Sequence, residues 1–548
     1  MSADPWRAAD ILRAVEGDAD GGAPASGALA VEDDPVEALV ALALCDVLQL
    51  EQAPPQATFA ELGGDSLAAI EIFARVARWL HVRLPPSALA PTTTCAELAA
   101  VVRARRAAGQ APAPAPAPPA GSPLVTPGQA AILLAEQTAS PSAVYTIACA
   151  LRLRGLLDDE RLERAYRQVV QRHEALRTTY ALGERGFEAR LEPTARCRLE
   201  RHAARDAPAA LQLARRLAAE PLSPDRAPLL HLHAIVAGDD EHLLCVRVHH
   251  VACDGWSLRI VLRELAAVYA GARLSEAAAH EQFRAFAAAE RAHLRSEAGS
   301  AEVSAWETAL AGVPAAGSLT RGEACDGATG RFDGGTVALE LPIDGASELR
   351  AICARHGATP FIAVLTALSA ALSRRSGATD FVIGAPVANR GDPAHASIVG
   401  YLSTTAPLRI DASGDPSLRE LLGRVRGASL AASERQRVPL PAIAEACAAR
   451  ASGRRRPLFD VACAIVDLTP APFAGLETTA VPLHTGTAKF PLMLYLERHG
   501  ERLLGHLEYA LDRLEAGDVE GIASDLRAAL QQLATDADRR CSQLEPAS

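Results

Sequence analysis

Basic charge is in short supply. Lys and Arg number 55 against 66 Asp and Glu, so the 548-residue chain carries a net charge of −11. Lacking a basic stripe or polybasic tail with which to neutralise phosphates, it is not expected to bind nucleic acid. The 11 cysteines run from Cys45 to Cys541 with no CxxC pair and no CxxC with HxxxH. Neither a zinc site nor a disulfide framework is therefore expected, and no metal; buried, reduced thiols of a cytoplasmic protein are. No stretch approaches membrane-spanning length, and MSADPWRAAD lacks the basic-then-apolar start of a secretory signal. The expected location is thus the cytoplasm, without a membrane partner. Aromatic residues make up only 4%, while the length exceeds one ordinary core and implies roughly two to four domains.

Residues 1–33 hold a short helical pattern, Pro5 to Val15, and then a Gly-, Ala- and acid-rich stretch that reads as a flexible leader. In residues 34–105, Val36, Leu39, Val40, Ala43, Leu44, Val47 and Leu48 form a helical stripe, and a second helix spans Ser66 to about Leu80. Thr94 and Glu97 have capping-box spacing before Leu98, Val101 and Val102. These elements make a small all-α bundle of four helices. Between its first two helices, Gly63 and Gly64 let the chain turn tightly and present Ser66 at a helix start. Residues 106–122 alternate Ala and Pro, a semi-rigid polyproline tether of about 3.1 Å per residue. Beyond them strands alternate with helices, an α/β pattern divided here into 123–297 and 298–540.

The centre of this larger region is His249-His250-Val251-Ala252-Cys253-Asp254-Gly255-Trp256-Ser257. Leu243 to His250 is short, apolar and rich in branched residues, which predicts a strand whose alternation sends the two histidines to opposite faces. His250 then shares the dry face of Leu244, Val246 and Val248, where a neutral imidazole can serve as a base, while His249 orients the turn. Gly255 permits a tight backbone. Ser257 can cap a helix with Leu258, Val261, Leu262, Leu265 and Tyr269 on one stripe.

HHxxxDG, formed by His249, His250, Asp254 and Gly255, resembles the signature of condensation domains of nonribosomal peptide synthetases, relatives of chloramphenicol acetyltransferase. Pro127-Gly128-Gln129, Tyr145-Thr146-Ile147, Arg172 to Thr178, Trp306 in Ser304-Ala305-Trp306-Glu307, Phe381 to Arg390 and Val399 to Arg409 resemble the family's other motifs. Phe59 to Leu67, with its GGDS turn, is similar to the site of peptidyl carriers, in which the serine bears a 4'-phosphopantetheine arm. A phosphodiester there would sit at the positive end of a helix dipole. Several positions depart from the family. Thr404 replaces Asn, Ala406 replaces a larger residue, Pro491 follows Lys489-Phe490 where Asp is usual, and Asp65 is commoner ahead of epimerization domains.

The resemblance implies a carrier joined to a condensation domain of two acetyltransferase-like lobes around a tunnel. It implies that Ser66 carries the acyl donor, that His250 deprotonates or orients an attacking amine or hydroxyl, and that Asp254 pairs with Arg390 to fix the turn. Arg177 is either a surface cation at a helix end or a structural residue near the site, and Trp306 is either packing or part of the same surroundings. Implied partners are a phosphopantetheinyl transferase, an adenylation enzyme in trans, and an acceptor carrier or small amine or alcohol, since no adenylation or thioesterase signature is present. Two rivals stand beside this reading: an epimerization domain, opposed by the Ala406-Pro407-Leu408-Arg409 motif, and a noncatalytic recruitment platform, opposed by the intact His250.

Overall fold

The computed structural model describes residues 34–544 apart from 49, 65, 109–123, 139–140, 185, 315–331, 340–345, 451–456, 468 and 500–501. The leader with its Pro5 to Val15 pattern, Asp65 and the Ala/Pro tether lie outside the described residues.

In the first domain, helices α1 (Pro35–Leu48), α2 (Ser66–Leu80) and α3 (Cys95–Ala107) pack around Leu39, Leu44, Ile72, Val76, Leu98 and Val102, none more than 1% exposed. Thr94 and Glu97 form the capping box that their spacing predicts. The fourth element is a single 3₁₀ turn, Pro86–Leu89, not an α-helix. Pro91 ends it, since proline lacks the amide a longer helix needs and favours the extended backbone seen at Ala90. Gly63 sits at φ +80°, which only glycine adopts freely, and a Cβ on Gly64 would fall 2.1 Å from the Phe59 ring. Both glycines are therefore demanded by the turn that leads into Ser66.

The N-terminal lobe holds helices α4 (Pro127–Thr138), α5 (Asp159–Arg172), α6 (Ala207–Ala218), α7 (Gly255–Tyr269) and α8 (Phe283–Leu294), and α9 (Glu297–Ala309) follows, packed on the core of the other lobe. Its strands are β1 (Thr146–Arg154), β2 (Thr178–Gly183), β3 (Gly186–Leu191), β4 (Glu200–Ala203), β5 (Leu230–Val236) and β6 (Glu241–His249). The C-terminal lobe adds α10 (Ala346–His356), α11 (Pro360–Ser376), α12 (Leu418–Glu434), α13 (Leu440–Arg450) and α14 (Ala516–Thr535). With them run β7 (Gly334–Leu339), β8 (Asp380–Val387), β9 (Thr404–Asp411), β10 (Val461–Asp467), β11 (Glu477–Val481), β12 (Leu492–His499) and β13 (Arg502–Ala510).

The sheets run in the orders β11-β1-β6-β5-β4 and β7-β13-β12-β10-β8-β9, both mixed, while β2 and β3 form a separate hairpin. Strand β11 crosses from the C-terminal half to pair with β1, from Ala150 with Val481 to Arg154 with Glu477. A division at 297/298 is thus not a division between the sheets. In β6 the residues Leu244, Val246 and Val248 face the helix-covered core with α5 and α7, and α11 is buried along nearly its whole length in the other lobe. Trp306 belongs to that second core, 4% exposed, its indole N–H donating to the Arg435 carbonyl at 3.3 Å.

Candidate active site

Strand β6 ends at His249, one residue earlier than the alternation predicts, and His250 to Ala252 form a 3₁₀ turn. His250 therefore does not continue the Leu244, Val246, Val248 face; it turns out of the sheet into a cavity between the lobes. His249 is fully buried. Its Nδ1 accepts from the Val251 amide at 3.1 Å, which leaves Nε2–H to donate to Glu136 Oε1, also at 3.1 Å. Gln129 Nε2 donates to the Val251 carbonyl at 2.8 Å and to Tyr180 Oη at 2.9 Å, so α4 props the same turn.

The His250 amide donates to the Tyr145 carbonyl at 2.7 Å, and its ring edge meets Tyr401 with centroids 5.0 Å apart. Nδ1 lies 2.9 Å from the Cys253 carbonyl, which can only accept. That fixes the proton on Nδ1 and leaves the Nε2 lone pair free. Burial, and then the nearby Lys489, lower the basicity of His250 to a pKa of about 3.

Asp254, not Ser257, caps α7: its Oδ1 accepts from the Ser257 amide at 2.8 Å. A carboxylate at this position reaches the same kind of orphan donor that a serine cap would serve, and it has a second oxygen to spare. That oxygen accepts from the Leu402 and Ser403 amides, each at 3.0 Å, and from Arg390 Nη1 at 2.9 Å. Arg390 also donates to Ser257 Oγ at 2.9 Å and to the Ala388 and Ile398 carbonyls at 3.0 Å. Burial opposes the charge on Asp254, but Arg390 and the Ser257 hydrogen bonds outweigh it and hold the carboxyl below its usual range.

Gly255 has no left-handed φ, and a Cβ built there meets nothing within 4 Å. Its backbone is ordinary, contrary to the expectation of a glycine-requiring turn; Gly255 lines the same cavity as His250. Arg177 is 9% exposed and donates to the Glu192 carbonyl at 2.7 Å, closing the β2–β3 hairpin. Neither Arg177 nor Trp306 lines the cavity.

The cavity has a volume of about 1650 Å³ and runs from Leu62, Gly63 and Ala68, on either side of Ser66, to His250, Tyr401 and Lys489. The first domain is held over its mouth by Glu71 with Arg259 at 3.0 Å and by Arg83 with Asp392 at 3.1 Å. The wall mixes small and apolar residues, Leu258, Leu262 and Ala266 from α7 and Ala351 and Ala354 from α10, with the cations Arg259, Arg263 and Arg350. Such a wall fits a slender pantetheine chain anchored at the start of α2, while the dipole of that helix suits its phosphate. Deeper in, Lys489 Nζ lies 5.6 Å from the Tyr145 ring centroid. Burial lowers the Lys489 pKa and raises that of Glu508, whose carboxylate also accepts from the Lys489 amide. Spacing in sequence could not have shown this pair, nor the partnership of Glu136 with His249.

Elsewhere, Glu200, His231 and His233 offer ligand atoms within 4.8 Å of one another. The fixed charge of Arg247, with Nη1 3.5 Å from His233 Nε2, opposes a cation there. No single helix among the described residues is long and apolar enough to cross a membrane.

Comparison with known proteins matches residues 120–548 to the condensation domain family and residues 38–102 to the phosphopantetheine attachment site. The chain is 30% identical over 518 residues to the malpibaldin synthetase of Mortierella alpina, covering 91% of this chain but 9% of that protein. It is 31% identical to the isonitrile lipopeptide synthase of Mycobacterium tuberculosis, covering 90% of this chain and 20% of the relative. The chain thus spans a small fraction of these relatives. Among solved structures, the X-domain from teicoplanin biosynthesis aligns over 78% of this chain and 98% of its own at 28% identity, with a TM-score of 0.65. The first condensation domain of the calcium-dependent antibiotic synthetase aligns over 78% of this chain and all of its own length at 22% identity, with a TM-score of 0.67, and so attests the shared fold.

Proposed function

The chain belongs to the condensation-domain family and carries a phosphopantetheine-attachment domain ahead of it, and from that premise we propose that it is a carrier–condensation didomain that makes an amide or ester bond. The observation that carries this reading is the continuous cavity joining the residues beside Ser66 to His250.

When attached at Ser66, phosphopantetheine supplies the thiol on which an acyl group is activated. The first domain, pinned at Glu71 and Arg83, holds the start of α2 beside the tunnel. His250 Nε2, unprotonated across the physiological range, orients the nucleophile and takes a proton as the new bond forms, a contribution of about 10²- to 10⁴-fold. Enclosure and tethering supply effective concentration on top of it. Asp254 and Arg390 do not touch the reacting atoms; they hold the turn that holds His250. The first turn of α7, where Gly255 leaves room, offers amides without intrahelical partners to a developing oxyanion.

The partners proposed are a phosphopantetheinyl transferase, an adenylation domain, and an acceptor that is another carrier or a small amine or alcohol. A cytoplasmic location agrees with the ten described cysteines, all free thiols. A second reading, a noncatalytic recruitment platform, draws on the X-domain likeness, since that domain has also been solved in complex with OxyB. Single-turnover assays of the acyl-loaded chain with acceptor carriers or small amines separate the two. Transfer that consumes the acyl group on Ser66 and needs His250 supports condensation; none with any acceptor supports recruitment, and inversion of the loaded α-carbon without an acceptor would mean epimerization.

A further inference from the structure

Helix α8 buries Phe283, Phe286 and Ala287 on one face, and the next position of that stripe is Glu290. A core position there calls for an apolar side chain. Glu290 is instead 8% exposed, its Oε2 is shielded from solvent without a hydrogen-bond partner, and no cation pairs with it among the described residues. It also lines the cavity that contains His250. An acid buried in a cavity wall is expensive to ionise, and a cation in that cavity would offset the cost. The carboxyl lies within electrostatic reach of Tyr401, whose ring packs against His250.

We propose that Glu290 is the residue that receives the acceptor: its carboxylate binds an incoming primary ammonium group and takes from it the one proton that must leave before the nitrogen can attack. The inference rests on the acyl-transfer reading of the cavity and narrows it to amines. An amine enters from water as ammonium, and His250 is a weak base for it because burial and Lys489 disfavour a second cation there. Glu290, whose pKa burial raises to about 7, holds a proton readily. An N–H bond of the ammonium breaks as an O–H bond forms on Glu290. The freed lone pair makes the C–N bond while the C–S bond breaks, and the second N–H proton passes through His250 Nε2 to the departing sulfur. Glu290 then returns its proton to water in the cavity, so no other reagent is needed.

The test uses the full chain, wild type and Glu290→Gln, with n-butylammonium as probe and 1-butanol as its uncharged counterpart, binding being followed by NMR. The wild type should bind the ammonium more tightly as pH rises from 6 to 8 and Glu290 ionises. In Glu290→Gln, affinity should fall by roughly tenfold or more and lose that pH dependence, with butanol unaffected. The variant separates Glu290 from His250, Tyr401, Tyr145, Asp254 and Lys489, titratable groups that line the same cavity. Gln is isosteric and removes a buried acid, so the variant should fold and melt no lower than wild type at pH 8. Equal, or equally pH-dependent, ammonium binding in the two proteins would overturn the proposal. So would n-butylamine transfer as fast in Glu290→Gln as in wild type. Glu290-dependent binding without any His250-dependent transfer would instead overturn the acyl-transfer reading and leave the cation site standing.

Discussion

Arg390 and Asp254 stand 136 residues apart and meet in a fully buried ion pair of 2.9 Å that joins the loop after β8 to the first turn of α7. Both oxygens of Asp254 are occupied, and Arg390 reaches three further acceptors, Ser257 Oγ across the seam between the lobes and the Ala388 and Ile398 carbonyls of its own loop. The pair is therefore a clasp on the turn that carries His250.

Removing one half of such a pair strands the other charge, at a cost of about 3 to 5 kcal/mol. Asp254→Asn and Arg390→Ala should each lower the unfolding midpoint and slow transfer. The double mutant should be less destabilised than the sum of the two. Full additivity in denaturant titrations would mean that the two side chains do not couple.

Ser66 should be the attachment point. Incubation with a phosphopantetheinyl transferase and coenzyme A is expected to add one arm to wild type and none to Ser66→Ala, read by intact-protein mass spectrometry. Labelling of the variant would move the site elsewhere.

Gly255 offers a sharper contrast between folding and function. A side chain there meets open space, so Gly255→Ala should melt at or slightly above the wild-type temperature, by up to about 1 kcal/mol in stability. Gly255→Leu should keep that stability while transfer falls at least tenfold, because the side chain fills the cavity beside His250. Loss of stability in the alanine variant would show that the turn itself needs glycine.

Buried histidines, His250 and His506 among them, make the fold sensitive to acid. Burial lowers the pKa of His250 to about 3 and, with His484 nearby, that of His506 to about 4. Both lie below the unfolded value of about 6.5. The unfolded chain thus binds more protons than the folded one below about pH 6.5, and stability falls as pH drops from there toward 4. Thermal melts across that range should show a smaller loss in His250→Asn than in wild type. Parallel curves would mean that the His250 ring is not held neutral.

The carrier's seat should be electrostatic in part. Glu71→Arg is expected to slow transfer from Ser66 by a few-fold, more at low salt than at high, and Arg259→Glu in the same chain should restore it. No rescue in the doubly reversed protein would place the contact outside the productive arrangement.

Much of this was open to a reader of the sequence, because the forces involved are local. The Thr94 and Glu97 cap and the stripe on α7 follow from spacing and turn chemistry alone. Strand alternation misled at one point. It carried β6 through His250, but the hydrogen bond from the Val251 amide to the His249 ring ends the strand a residue sooner. A serine looked like the cap of α7, since cap preference favours Ser and Asp alike and only the fold shows that Asp254 has Arg390 behind it. Glu136, Lys489, Glu508 and Glu290 were illegible for a different reason: each draws its meaning from a neighbour on another element, and nothing in one-dimensional spacing brings those together.

The exchange of β11 into the first sheet has a consequence for the order in which the chain becomes a protein. While the ribosome works through the C-terminal half, the free edge of β1 has no neighbour, and an unpaired edge is a template for association with other chains. The N-terminal lobe can close that edge only after residue 481 has emerged. Newly made chains stopped short of β11 should therefore stay dependent on chaperones, whereas those that include it can seal the first sheet.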